Sequence, residues 1–100
     1  MLKNARWTSL AEADLADLLC YLSNYWNNKV ALEFVENLDN CILRIKKNPK
    51  LFAFYDANLH IRKCVITKHN TLYYIEKETK IMILRLYDSR QNPNNLKFEI

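Results

Sequence analysis

The sequence of 100 residues contains no glycine, although average usage would put about seven in a chain of this length. The P-loop, the G-x-G-x-x-G dinucleotide fingerprint and the G-x-S-x-G nucleophile elbow are therefore excluded, because each requires glycine at fixed positions. Tight turns must use another residue at positive φ, and asparagine is among those that tolerate it best after glycine. The sequence thus predicts positive φ at Asn28, Asn58 and Asn70.

The chain has three cysteines and no long hydrophobic run. Cys20, Cys41 and Cys64 are odd in number and widely spaced, which fits neither a disulfide framework nor a zinc site. We interpret them as three half-buried free thiols and expect no metal and no cofactor. No apolar run approaches the ~18–20 residues of a membrane span, and the N-terminus lacks the apolar region of a signal peptide. A cytoplasmic protein that does not bind membranes is expected.

Charge and hydrophobicity indicate one folded domain over residues 1–100, because half of the residues are hydrophobic and about a quarter are charged. The net charge of +4 is unevenly distributed. Residues 1–58 contain seven Lys/Arg and seven Asp/Glu, whereas residues 59–100 contain eight and four. A basic half beside a neutral half suggests an anionic partner, either nucleic acid or an acidic protein segment.

Apolar residues recur at helical spacing in two segments of the first half. The first predicts a helix over Ser9–Tyr25, with Ser9 and Glu12 as a capping box at its start. The second predicts a helix over Lys29–Lys47, which Asn48-Pro49 ends because the residue before proline avoids the α region. Two helices joined by a short connection form an antiparallel hairpin.

Segments rich in β-branched and aromatic residues predict strands at 2–7, 60–66, 71–76 and 80–87, with a connecting loop at 50–58. The short connections make the last three strands an antiparallel meander. The predicted fold class is α+β: an N-terminal strand, an antiparallel helical hairpin and a three-stranded antiparallel meander, with the hairpin packed on one face of the sheet.

This order of elements, together with local residues, resembles the RelE/ParE superfamily of toxins from type II toxin–antitoxin systems. The similar segments, which extend from about residue 3 to 93, are Trp7-Thr8 with Ala11, Ala13, Asp14 and Leu15, then Asn48-Pro49, Ile61 to Ile66, Leu72 to Ile75, and Ile83 to Pro93. The chain departs from the family in the turn at 67–70, where these toxins often have glycine.

The resemblance implies a β-α-α-β-β-β fold and a small cytoplasmic toxin neutralised by a cognate antitoxin, whose acidic or amphipathic segment wraps over the helices and the sheet. It implies no cofactor. ParE-like members inhibit DNA gyrase and have no known catalytic residues, whereas RelE-like members cleave mRNA on the ribosome. The oligomeric state stays open, with a homodimer as one alternative.

Metal-free RNA cleavage requires a base for the 2′-hydroxyl, an acid for the leaving oxygen and cations for the phosphate. If the chain is RelE-like, the resemblance makes the candidate catalytic residues Arg62, Lys63, His69, Arg85 and Arg90. The set is incomplete, because Cys64 and Thr71 occupy positions where basic residues are expected. We therefore favour the ParE branch, with a RelE-like endoribonuclease and a nontoxic interaction module of the same fold as alternatives.

Four residues are candidates for binding a partner: Trp26, Tyr74, Tyr87 and Arg90. Trp26, at the hairpin tip, is either a partner anchor or a core residue. Tyr73 and Tyr74 face opposite sides of a strand, so that one is expected in the core and the other at the surface. Arg90 follows the last strand, where it could bind phosphate or cap a carbonyl.

Overall fold

The computed structural model describes residues 3–98 and shows the predicted α+β arrangement. Its elements are β1 (Asn4–Trp7), α1 (Ser9–Tyr25), α2 (Asn28–Lys47), β2 (Phe54–Asp56), β3 (Ile61–Thr67), β4 (Asn70–Glu76), β5 (Lys80–Asp88) and a short 3-10 turn at Pro93–Asn95. Each predicted helix and strand is present close to its expected bounds. Residues 2 and 3 were also expected in the first strand; residue 2 lies outside the described residues, and β1 begins at Asn4.

The five strands form one mixed sheet in the order β1-β5-β4-β3-β2. Strands β3, β4 and β5 are the predicted antiparallel meander. The N-terminal strand β1 pairs in parallel with β5, so the first strand of the chain lies beside the last. This parallel pairing is possible because the helical hairpin carries the chain away from β1 before the meander begins.

The main core lies between the hairpin and one face of the sheet. In α2, Phe34, Leu38, Cys41 and Ile45 are buried and recur every three or four residues, so that they form one stripe towards the sheet. Helix α1 packs against β5, and α2 packs against β3. Burial of each large apolar side chain is worth about 1.5–3 kcal/mol, which makes this layer the main source of stability.

A C-terminal segment covers part of the outer face of the sheet, which is the face away from the helices. We call residues 92–98 the C-terminal strap. The hydroxyl of Tyr87 donates a hydrogen bond to the carbonyl of Asn92 at 2.8 Å. The ring of Phe98 lies 5.7 Å from that of Tyr73 and 5.9 Å from that of Tyr55, measured between centroids. The strap therefore buries aromatic surface that the sheet would otherwise expose.

The capping box at the start of α1 was predicted at the wrong residue. Thr8 is the N-cap, and its Oγ1 accepts the hydrogen bond from Ala11 N at 3.2 Å, whereas Ser9 is the first helical residue. The same Oγ1 donates to the carbonyl of Leu84 at 2.9 Å. Contact with β5 thus selects Thr8, and local sequence preference alone does not distinguish two adjacent hydroxyl residues.

The prediction that asparagines take the positive-φ positions is also wrong. Asn28 is the first residue of α2, Asn58 lies in the turn after β2, and Asn70 begins β4. Among residues 3–98, the single non-glycine residue with positive φ is His60, with φ of 60°. Histidine is enriched in the left-handed region along with asparagine, and His60 stands at the point where the chain turns back into β3.

Residues 50–58, predicted as a loop, contain the edge strand β2, which pairs with the start of β3. Three residues with no buried side chain produce no alternating pattern for sequence analysis to detect.

The prediction of three free, half-buried cysteines is wrong for two of them. Cys41 on α2 and Cys64 on β3 are both buried, and their sulfur atoms lie against each other between the hairpin and the sheet. Cys20 is free and exposed on α1. The spacing of the cysteines could not reveal the pair, because only the packing of α2 on β3 brings the two residues together.

Candidate functional site

Arg85 lies at the outer face of β5 and is held by two neighbouring segments, α1 and the C-terminal strap. Its Nε and Nη2 donate to the two carboxylate oxygens of Asp14 on α1 at 2.7 and 2.9 Å. Its Nη1 donates to the carbonyl of Lys97 in the strap at 2.8 Å. These carboxylate hydrogen bonds raise the pKa of Arg85 above its usual value. The guanidinium joins α1, β5 and the strap.

Arg90 forms a second bidentate pair just beyond β5. Its Nε and Nη2 donate to the carboxylate of Asp88 at 3.0 and 2.6 Å, and its backbone N–H donates to the same group at 2.8 Å. The hydrogen bonds from Arg90 lower the pKa of Asp88, and the nearby His69 adds to this effect. The carbonyl of His69 accepts from Ser89 N at 2.7 Å. Arg90, Asp88 and His69 therefore lie together beside the β3–β4 turn.

Arg62 and Lys63 are adjacent on β3 but point to opposite faces, because strand side chains alternate. Arg62 pairs with the buried Tyr74 and lies on the helix side, where its Nη1 donates to the carbonyl of Phe52 at 2.6 Å. Its guanidinium also lies 3.9 Å above the ring of Phe54. Lys63 is exposed on the outer face.

The five candidate catalytic residues thus occupy three separate places. Arg62 is at the edge of the helix side. Lys63 and Arg85 share a cross-strand row on the outer face, with Tyr73 between them. His69, in the β3–β4 turn, and Arg90, just beyond the end of β5, lie together in the third place. Each of the three arginines already donates hydrogen bonds to carboxylate or carbonyl oxygens.

The four predicted partner-binding residues differ in exposure. Trp26 caps the C-terminus of α1 and is 65% exposed, and Arg90 is exposed. Tyr74 is completely buried, and its hydroxyl donates to the carbonyl of Pro49 at 2.7 Å. Burial raises the pKa of Tyr74 to about 12. Tyr87 is buried near the strap.

Sequence analysis missed two further exposed aromatic residues beside Trp26. Tyr21 and Tyr25 are one helical turn apart on α1, and their ring centroids lie 5.2 Å apart. Both are exposed. We call Tyr21, Tyr25 and Trp26 the aromatic tip. Their exposure could have been predicted from the sequence, because both tyrosines fall outside the helical repeat of apolar residues in α1.

A groove of about 380 Å³ adjoins the aromatic tip, between α1 and the ends of β4 and β5. Its lining includes Asp17, Tyr21, Asn70, Asp88 and Arg90. Within residues 3–98, no cluster of three or more His, Cys, Asp or Glu side chains is placed to hold a metal ion. No helix in the same range is long and apolar enough to cross a membrane.

Residues 5–93 match the family model described as the ParE toxin of the type II toxin–antitoxin system, parDE. This match extends over most of the chain. The chain therefore belongs to the ParE toxin family, as the resemblance predicted.

Two solved structures are similar to the chain. One belongs to the chromosomal ParDE toxin–antitoxin system from P. aeruginosa; it has a TM-score of 0.72 and 17% identity, over 87% of this chain and 96% of that one. At this identity the likeness shows the shared fold. The other is a copper-bound mutant toxin from Helicobacter pylori, with a TM-score of 0.53 and 26% identity over 88% and 94% of the two chains. No curated protein matches the chain.

Proposed function

We propose that this chain is a toxin neutralised by a cognate antitoxin, and that it acts by binding DNA gyrase and not by cleaving RNA. Membership of the ParE family supports the proposal. The observation on which it chiefly depends is the separation of the candidate catalytic residues, because Arg62, Arg85 and Arg90 lie in three different places.

Catalysis of RNA cleavage requires an acid, a base and cations around one phosphate. Arg85 is bonded to Asp14 and to the strap, and Arg62 is bonded to the carbonyl of Phe52. Release of either guanidinium would break hydrogen bonds to a charged group, each worth about 1.5–3 kcal/mol. These arginines are better suited to stabilising the fold than to binding a substrate phosphate.

The aromatic tip supports binding of an antitoxin to the hairpin. Large aromatic side chains that stay exposed on a small domain mark protein–protein interfaces. Leu32 and Leu43 on α2 are also exposed, which extends the apolar surface along the hairpin. The similar P. aeruginosa chain belongs to a toxin–antitoxin system. We propose that an amphipathic segment of the antitoxin covers the hairpin and contacts Trp26.

Expression of the chain alone and together with the antitoxin encoded beside it tests the cellular target. Growth arrest with cleaved DNA and intact mRNA is expected, and the antitoxin should prevent both the arrest and the cleavage. Ribosome-dependent mRNA cleavage that is lost in Arg62→Ala and Arg90→Ala would favour the endoribonuclease instead. Normal growth at every expression level of the folded chain would favour a nontoxic interaction module.

The antitoxin surface is tested with a matched pair of variants. Trp26→Ala should weaken binding of the antitoxin by about tenfold or more, because exposed tryptophans at interfaces are frequent hot spots. Leu51→Ala is the control, since Leu51 is similarly exposed (62% against 65%) but lies in the connection after α2. Calorimetric titration measures both, and equal affinities for the two variants would contradict this placement.

A further inference from the structure

Positive charge is concentrated in one quarter of the chain. Residues 44–68 contain seven Lys and Arg but a single acidic residue, Asp56, a surplus of six positive charges. The whole chain has a surplus of only four, so the remaining residues are net acidic. Helix α1 contains Glu12, Asp14 and Asp17 and no basic residue. The molecule is therefore strongly polarised, which its modest net charge conceals.

The fold brings four of these cations to one edge. Arg44 and Lys47 are one turn apart at the end of α2, and Lys50 follows in the connection to β2. The guanidinium of Arg62 reaches this connection and donates to the carbonyl of Lys50 at 3.3 Å. We call Arg44, Lys47, Lys50 and Arg62 the basic edge. The first three are exposed and Arg62 is half-buried.

Among the residues that the structure describes, no acidic side chain forms a salt bridge with a cation of the basic edge. The salt bridges within residues 3–98 are Lys3–Glu76, Arg85–Asp14 and Arg90–Asp88, and none of them involves this edge. Basic residues near a helix C-terminus interact favourably with the helix dipole, which accounts for Arg44 and Lys47. Arg62 is held by the carbonyls of Lys50 and Phe52, so Lys50 is the cation of this edge that neither effect explains. A group of unpaired cations from two elements and a loop creates a positive field suited to an anionic partner.

The aromatic rings at this edge are already in contact with cations. Arg44 lies 5.3 Å from the centroid of Phe52, and Arg62 lies 3.9 Å from that of Phe54. Single-stranded nucleic acids are bound by aromatic faces that are free to stack on bases. The basic edge offers cations and few free ring faces, which suits contacts to phosphates in a duplex better than contacts to bases.

We propose that the three exposed cations of the basic edge, Arg44, Lys47 and Lys50, bind the phosphate backbone of double-stranded DNA without sequence preference. This inference goes beyond the proposed function but agrees with it, since gyrase acts on duplex DNA. Its test requires only the full-length chain and DNA, so that failure of DNA binding and failure of gyrase inhibition are separate results.

Anisotropy of a labelled duplex of about 25 base pairs, titrated with the chain between about 50 and 200 mM salt, measures the interaction. If these three cations neutralise about three phosphates, a plot of log K against log[salt] should fall with a slope of about −3. The variant Arg44→Gln/Lys47→Gln/Lys50→Gln should bind about tenfold or more weakly at low salt and should lose most of that slope.

The control variant Arg6→Gln/Lys29→Gln/Lys77→Gln removes the same charge from exposed positions outside the edge and should keep the slope. Circular dichroism confirms that both variants are folded. Absence of DNA binding at low salt, an equal loss in the control, or tighter binding to single-stranded RNA of the same length would overturn the proposal. The proposal would also be overturned if the Arg44→Gln/Lys47→Gln/Lys50→Gln variant kept DNA binding but no longer bound the antitoxin, because the edge would then be part of the antitoxin interface.

Discussion

Asp14 accepts three hydrogen bonds, two from the guanidinium of Arg85 and one from the backbone N–H of Leu86 at 3.0 Å. Both side chains of the pair are largely buried, with exposed fractions of 11% and 17%. In the sequence, Asp14 is one of three acidic residues in the predicted first helix, and Arg85 is a candidate catalytic residue. Their pairing depends on the packing of α1 against β5, which no local pattern encodes.

The variant Asp14→Ala should lower the free energy of unfolding by about 2 kcal/mol, because it leaves a partly buried guanidinium and a backbone N–H without their acceptor. Asp17→Ala, one turn along α1, is the control; Asp17 is exposed and belongs to none of the ion pairs of residues 3–98. It should stay within about 0.5 kcal/mol of wild type. Urea unfolding measures both, and equal losses would contradict the assigned role of Asp14.

The Arg90–Asp88 pair predicts a dependence of stability on pH. Arg90 lowers the pKa of Asp88 in the folded state, so the pair stabilises the fold above the unfolded-state pKa of about 3.9 and loses this effect as pH falls through the lower folded value. Arg90→Gln should therefore be less stable than wild type at pH 7, and the difference should shrink at pH 3. Urea unfolding at both values measures it; an unchanged difference at pH 3 would exclude this coupling.

At the scale of elements, the periodic patterns were sufficient for both helices and for the meander. In α2 the buried residues recur every three or four positions, and in β4 every second position. Because each element buries one face, the spacing of its apolar residues reveals whether it is a helix or a strand. The short strand β2 and the parallel pairing of β1 with β5 were not predictable, because neither leaves a local pattern. The same holds for the Cys41–Cys64 pair.

Alanine variants of Thr8 and Ser9 test which of these two adjacent residues is the N-cap of α1. Thr8→Ala should cost about 1 kcal/mol of stability, as losses of N-caps typically do, with a further loss from the bond to the carbonyl of Leu84. Ser9→Ala should be nearly neutral, because Ser9 is an exposed residue in the first turn. Thermal unfolding of both variants measures the difference. A larger loss of stability in Ser9→Ala than in Thr8→Ala would contradict this assignment and support the capping box predicted from the sequence.

At the scale of the whole molecule, the chain presents two unlike surfaces. The aromatic tip and the acidic α1 offer an apolar and negatively charged surface, whereas the basic edge offers unpaired cations. Counting charges along the sequence places the excess of positive charge in residues 59–100. The basic edge instead combines residues from both halves of the chain, because three of its four cations precede residue 59. Separate surfaces are what a toxin needs if an antitoxin and a target are to bind it through different residues.

The central claim is that this toxin acts on gyrase by binding. Supercoiling of a relaxed plasmid by purified gyrase, measured with increasing amounts of the chain, tests it most directly. The expected result is loss of supercoiling with accumulation of cleaved DNA, relieved by the antitoxin, while mRNA on purified ribosomes stays intact. Unaffected gyrase together with cut mRNA would contradict it.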